Sequence, residues 1–164
     1  MVKKKSSGGT PATVALERAG IGFEVRTYVH DPAAASFGLE AAEALGVDPG
    51  RVFKTLLVEA DGALAVGIVP VDAQLDLKAV AAALGVKRVA MADPAVAERT
   101  TGYVVGGISP VGQRKALPTV LDSSATGFES VLVSGGRRGL DIELSPTDLL
   151  AATRGTIAAI ARRG

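Results

Sequence analysis

Apolar positions along the chain recur with two different periods, and these divide it into elements. Phe23, Val25 and Thr27 alternate with Glu24, Arg26 and Tyr28, as in a half-buried strand ended by His30-Asp31-Pro32. Val52–Glu59 is a β-rich run. Asp61-Gly62 turns it into Ala63–Val69, which predicts a hairpin. Val86–Ala90, Thr119–Asp122, Ser130–Val133 and Leu140–Leu144 read as further strands. Tyr103–Gly112 mixes strand character with a Gly-Gly-Ile-Ser-Pro-Val-Gly loop, and Ser134–Gly139 reads as a tight, basic, Gly-rich loop.

Helical stretches carry start and stop signals. Thr10-Pro11 opens Pro11–Ala19, which should place Val14 and Leu16 near the core and stop at Gly20. Leu39–Leu45 is amphipathic and closed by Gly46. Asp76 caps a helix through Leu84 that ends at Gly85, and Asp93-Pro94 starts one reaching about Arg99. Ser145-Pro146 with Asp148 approximates a capping box for the last clear helix, while Thr156–Ala161 fits either state. Strands outnumber helices and do not alternate with them regularly. The pattern predicts a mixed α/β (α+β) sheet domain over residues 10–164, not a doubly wound nucleotide fold.

Composition narrows the chemistry. The chain has 164 residues, enough for one domain with a sizeable core. It has no Cys and one His, His30. Thiol nucleophiles, Cys-based zinc sites and multi-histidine metal centres are therefore excluded. The absence of Trp and the six other aromatics argue against a broad base-stacking platform. Formal charge is +1, but Lys3, Lys4, Lys5, Arg162 and Arg163 lie at the ends. Without them 13 basic residues face 17 acidic ones, so the body carries −4. Capture of nucleic acid by a global cationic field is not supported, though Lys87-Arg88, Arg114-Lys115 and Arg137-Arg138 remain as local phosphate contacts or solvated pairs. No apolar run reaches membrane-spanning length. Residues 1–9 read as a disordered basic tail without a signal-peptide core, and the expected location is cytoplasmic.

Four places could carry chemistry. Lys54 lies amid apolar strand residues. It is either an edge lysine that discourages aggregation or the cation of a polar pocket. Gly106-Gly107-Ile108-Ser109-Pro110-Val111-Gly112 is a turn, or a set of backbone N–H groups for an anion or carbonyl oxygen. Ser134-Gly135-Gly136-Arg137-Arg138-Gly139 resembles a phosphate loop in composition, but Walker and GxGxxG spacings are absent. Asp141, just beyond it, is a solvated strand acid or part of a site. His30 is read as a surface or satisfied residue in preference to a catalyst, and no serine sits in GxSxG.

Taken in order, several segments resemble the YbaK family of aminoacyl-tRNA deacylases. They are Thr27-Tyr28, His30-Asp31-Pro32, Phe37-Gly38, Val52–Val58, Gln74–Lys78, Met91–Pro94, Thr101–Tyr103, Gly106–Pro110, Val133–Gly136 and Arg138–Leu144. The likeness covers Thr10 to Arg163. It is strongest to the freestanding Cys-tRNA(Pro)/Cys-tRNA(Cys) type, which is similar in fold to the editing domain of prolyl-tRNA synthetase. It implies a curved mixed β-sheet flanked by helices and a trans-editing hydrolase that removes cysteine from tRNA(Pro). By position, Lys54 matches the family's essential lysine. Tyr28, Phe37, Thr55, Gly106, Ser134 and Asp141 match residues lining its pocket, and N–H groups around Gly106 and Gly107 would stabilise an oxyanion.

The resemblance also implies substrate-assisted chemistry, in which the bound cysteinyl thiol attacks its own ester. That suits a chain with no Cys and a single His. No cofactor or metal is expected. The implied partners are aminoacyl-tRNA and prolyl-tRNA synthetase, with the synthetase supplying anticodon recognition to an acidic body. Residues 1–9 are extra to the family pattern, and Ser36 stands where some relatives carry Asn. Preference for Ala-tRNA(Pro), a noncatalytic tRNA- or synthetase-binding module, and a weaker nucleotide-binding reading are the alternatives.

Overall fold

A computed structural model describes residues 9–163. The expected basic tail therefore lies outside the described residues, apart from Gly9.

Three sheets form around two long antiparallel pairings. The hairpin β2 (Phe53–Ala60) and β3 (Ala63–Pro70) pairs over its full length, from Phe53 opposite Pro70 to Ala60 opposite Ala63. Asp61 at the turn has φ +51°, a conformation its short polar side chain tolerates. On one side β5 (Val89–Met91) covers only Val58–Ala60 of β2. On the other, β6 (Thr119–Asp122) and β9 (Thr156–Ala158) continue in parallel, completing a five-stranded mixed sheet. A second, antiparallel sheet orders β1 (Glu24–Thr27), β8 (Leu140–Leu144) and β7 (Val131–Arg137), with β8 in the centre. A bridge between Val52 and Leu132 brings β7 alongside the start of β2. β4 (Gln74–Leu75) pairs with β10 (Ala161–Arg162).

Five helices close the faces: α1 (Pro11–Arg18), α2 (Phe37–Leu45), α3 (Leu77–Leu84), α4 (Pro94–Thr101) and α5 (Pro146–Thr153). Their caps follow the sequence signals. The side chains of Thr10, Ser36, Asp76, Asp93 and Ser145 each accept an N–H of the first turn, and each such bond contributes about 1 kcal/mol. Alternation along β2 sends Phe53 and Leu57 into the main core with Leu16, Ile68, Leu121, Val133, Ile142 and Leu149. Val58 faces a second cluster with Val69, Leu75, Val80, Val120 and Ile160. A third cluster joins Val52, Val71 and Leu132 to Ala41 and Ala42 of α2. The mixed α/β architecture expected from the sequence is what forms. Among the described residues, no helix is long and apolar enough to cross a membrane.

Several local expectations are corrected. Val14 is exposed while Leu16 is fully buried. Two residues apart on a helix, they point about 200° from each other, and Ala12 and Thr13 share the inner face with Leu16 instead. The first strand is shorter than Phe23–Tyr28, and Thr27 is exposed while Arg26 is half-buried, because Arg26 pairs with Glu143. Helix α2 begins at Phe37 because Ser36 caps it. The strand expected at Val86–Ala90 forms at Val89–Met91, where β2 offers partners.

Tyr103–Gly112 contains no strand. It is a compact loop whose ends meet where Arg114 N–H donates to Thr101 O at 2.8 Å, and the Tyr103 hydroxyl staples it by donating to Val111 O at 2.7 Å. Ser134–Gly139 is mostly strand, not loop. β7 runs to Arg137 with a register shift between Ser134 and Arg137, leaving Arg138-Gly139 as the turn. Thr156–Ala161 divides into β9 and the start of β10. At the break the buried Asp122 carboxylate accepts the N–H groups of Ile160 and Ala161, each at 2.9 Å.

Candidate active site

Because β5 stops at Val58, the first half of β2 is an open sheet edge. Ala92 N–H donates to Leu57 O across that edge. Backbone groups alternate sides along a strand, so the N–H and C=O of Phe53 and Thr55 face the same way as those of Leu57. A cavity of about 390 Å³ lies along this edge. Helix α2, the α4 start, the 102–112 loop and the β7–β8 sheet enclose the rest of it. Its lining is mainly apolar, with Leu56, Val71, Met91 and Ile108 among the walls. Polar residues in the lining include Lys54, Thr55, Tyr28, Ser36, Ser134 and Asp141.

Lys54 is half-buried, and no ion pair reaches it among the described residues. Burial holds its ammonium below the usual lysine range, while the negative charge of Asp72 pulls in the other direction. The edge-lysine reading accounts for only part of this, since the side chain lines a cavity instead of facing open solvent. Thr55 follows on the opposite face. Its Oγ1 is buried with no hydrogen-bond partner among the described residues.

Asp141 overturns the solvated-acid reading, being 6% exposed as the second residue of β8. It sits opposite Arg26 of β1 and Ser134 of β7. Burial pushes its carboxyl up to about 7, and the nearby Arg26 charge restrains the rise. Tyr28, at the end of β1, is pushed up by burial and then by Asp141. Two residues further along the same face of β8, Glu143 is satisfied differently. It accepts from Ser130 Oγ, Arg26 and Arg51, and these donors hold its carboxyl below the usual range. One strand thus carries two acids with opposite character, one locked as an anion and one poised to titrate. Ser134 Oγ accepts the Gly136 N–H at 3.2 Å. The bulge at Gly135-Gly136, with Gly136 at φ +114°, lets β7 bend there while keeping Ser134 beside Asp141.

Phe37, the first residue of α2, forms a wall. The Arg138 guanidinium lies 4.6 Å from its ring centre, and the His30 ring is 5.8 Å away. Gly106 has φ +88°, and a Cβ there would stand 2.8 Å from both Phe37 Cδ2 and Arg138 Nε. Only glycine fits that meeting of loop, ring and guanidinium. Gly107 is placed differently. It is buried behind the wall, against the Arg137 backbone, and its N–H donates to Val104 O at 2.8 Å. Its amide is thus committed within the loop. His30 lies outside the cavity lining, with Nδ1 2.8 Å from Glu40 Oε1.

Lys54, Tyr28, Phe37, Thr55, Gly106, Ser134 and Asp141 therefore converge on one cavity, and Gly107 does not line it. Sequence reasoning missed the Arg26–Glu143–Arg51 support and the Arg138–Phe37 stack. Arg26 inside a strand, at the parity assigned to the exposed face, was the available signal. Among the described residues, no group of three or more His, Cys, Asp or Glu is arranged to hold a metal ion.

Fold and cleft together define a class: a small mixed α/β domain with one mainly apolar cavity lined by a lysine and a buried acid. Residues 31–152 match the family described as the aminoacyl-tRNA editing domain, and this chain belongs to that family. It is 37% identical over 163 residues, 98% of each chain, to EbsC of Enterococcus faecalis, a protein described as a candidate Cys-tRNA(Pro)/Cys-tRNA(Cys) deacylase. It is 40% identical over 68 residues to the proline–tRNA ligase of Moorella thermoacetica, spanning 42% of this chain and 12% of the ligase. A solved structure described as a candidate trans-editing enzyme for prolyl-tRNA synthetase superposes with a TM-score of 0.83 at 28% identity. That match covers 98% of this chain and 100% of the other. The YbaK resemblance and the mixed α/β fold read from the sequence are borne out.

Proposed function

We propose that this domain hydrolyses Cys-tRNA(Pro), and Cys-tRNA(Cys), using the substrate's own thiol as the nucleophile. One observation carries this reading. Lys54, Thr55, Tyr28, Ser134 and Asp141 share a single apolar cavity in a chain that has no Cys and whose one His is held by Glu40. Such a site is better suited to orienting a reactive substrate than to attacking it.

In this reading the cysteinyl sulfur bonds to its own carbonyl carbon, and the ester C–O bond to the terminal ribose breaks. The thiol proton leaves with the ribose hydroxyl, and water then opens the resulting thiolactone. Lys54 holds the terminal nucleotide and offsets negative charge near the ester. The open-edge N–H of Thr55 stabilises the oxyanion more directly than Gly107, whose N–H is already engaged. Asp141 and Ser134 hold the aminoacyl end, and Tyr28 and Phe37 bound the slot. The named function of EbsC and the partial match to a proline–tRNA ligase support the tRNA(Pro) assignment, with the synthetase as working partner.

A second reading rests on Asp141. Poised near neutrality, it could take a proton from water, which would clear Ala-tRNA(Pro) without a substrate thiol. Deacylation of Cys-tRNA(Pro) by wild type and Lys54→Ala tests the enzyme reading. The expected loss is on the order of 100-fold in kcat/KM, the scale of removing one charge-stabilising group. Unchanged turnover in Lys54→Ala removes the lysine from the mechanism. tRNA binding with no deacylation by wild type makes the domain a noncatalytic binding module.

A further inference from the structure

The three basic pairs that stood equal in the sequence are unequal in the fold. Arg137 and Arg138 form the end of β7 and the turn into β8, and Arg114 closes the 102–112 loop. All three meet that loop. Arg114 Nε is 3.5 Å from where a Gly102 Cβ would stand. The Arg137 Cα is 2.8 Å from the corresponding point at Gly107. Arg138 donates from Nε and Nη2 to Val105 O at 3.0 and 2.6 Å. Gly102 to Gly107 is five residues, so it spans at most about 18 Å. Val105 and Gly106 on the same stretch line the cavity, so these cations meet the loop that forms one of its walls.

Their charge is uncommitted. Arg26, Arg51, Arg163 and His30 each pair with a carboxylate, but among the described residues Arg114, Arg137 and Arg138 do not. All three are exposed, as is Lys115. Glu98 of α4, an acid that contacts this loop, accepts the Val105 N–H at 2.8 Å. The Lys87-Arg88 pair also has no ion pair among the described residues, but it is placed elsewhere. It lines a separate shallow groove with Glu59 and Asp61, and Asp61 accepts the Lys87 N–H at 3.4 Å. Asp61 is seven strand residues from Lys54, about 23 Å away.

We infer that Arg114, Arg137 and Arg138 form a cationic ridge that receives the RNA backbone next to the terminal, aminoacylated nucleotide, whereas Lys87 and Arg88 take no part. The partner is RNA phosphate. The cations all meet the loop that walls the cavity an ester-bearing end must enter, on a body whose remaining charge is negative. Such a local field orients a polyanion as well as attracting it. The inference rests on the editing reading for the identity of the RNA, not for the placement of the charge.

The test measures binding of an uncharged acceptor-stem minihelix by fluorescence anisotropy between about 50 and 200 mM salt. It uses the full-length protein, the double variant Arg114→Gln/Arg137→Gln, and the control Lys87→Gln/Arg88→Gln. Each lost phosphate contact lowers the slope of log K against log salt by about 0.7–0.9. The ridge variant should therefore lose about 1.4–1.8 of slope, while the control keeps the wild-type slope. Arg138 is left intact because it packs on Phe37. Equal slopes in all three proteins, or an equal loss in both variants, overturn the ridge. Hydrolysis of cysteinyl-adenosine, which lacks the neighbouring phosphates, is the separate readout. It should proceed equally in wild type and ridge variant. Its absence from every protein, with ridge-dependent RNA binding intact, would reject the hydrolase reading and leave the ridge standing.

Discussion

Asp141→Asn should make the protein more stable and less active, and the gain should depend on pH. The carboxyl rises from an ordinary value of 3.8 to about 7 in the fold. Between those values the native state binds a proton that the unfolded chain has lost, so this group's contribution to stability falls as pH rises through that window. Well below pH 3.8 the group is protonated in both states and contributes no penalty, and at pH 3.8 the penalty is still small. At about 1.4 kcal/mol per pH unit the penalty reaches about 4 kcal/mol above pH 7.5, and about 2–4 kcal/mol after local relaxation. An Asn of the same shape cannot ionise and carries none of it. Urea unfolding of both proteins at pH 3.8 and pH 8 measures the difference. The advantage of Asn should grow by about 2–4 kcal/mol between the two, while Cys-tRNA(Pro) deacylation falls. An advantage that stays constant with pH would show that burial does not perturb Asp141, and the account of the pocket acid would fail.

Thr55→Val removes a buried hydroxyl that has no partner among the described residues, with little change of shape. Stability should hold or rise by about 1 kcal/mol, because an unsatisfied buried polar group costs about 1–3 kcal/mol. Deacylation should drop, and a loss of stability without loss of activity would mean the hydroxyl serves the fold. Gly106→Ala should be destabilising by about 1–2 kcal/mol from the left-handed backbone alone. It should also disturb the Phe37–Arg138 stack and raise KM more than Gly107→Ala, although the latter meets backbone atoms; thermal melts with steady-state kinetics separate the two.

Elements whose signals are local were legible in the sequence. Caps at Thr10, Asp76 and Asp93, the Asp61-Gly62 turn and the β2–β3 hairpin follow from side-chain chemistry within a few residues. The pocket list was legible through family resemblance, not periodicity. Lys54 alone could have been an edge lysine, and Asp141 a solvated acid. What decides both is long-range pairing. β5 stops short of Lys54, leaving the edge open, and β8 is flanked on both sides, burying Asp141. The 102–112 loop was misread because Tyr103, Val104 and Val105 have strand-forming side chains. The Tyr103 hydroxyl bond to Val111 and the Thr101–Arg114 closure, which fix it as a loop, cannot be seen in a propensity. The unequal fate of the basic pairs also depends on which loop each meets.

The central claim is that the reactive group arrives on the substrate. It is tested most directly by offering the pure protein tRNA(Pro) charged in turn with Cys, Ser, Ala and Pro, and measuring each deacylation rate. Serine differs from cysteine only in replacing the thiol with a weaker nucleophile, so it fits the same cavity. The account predicts rapid release of Cys, release of Ser slower by on the order of 100-fold or more, and spontaneous rates for Ala and Pro. Equal clearance of Cys, Ser and Ala would contradict it and assign the attack to a water activated by the protein.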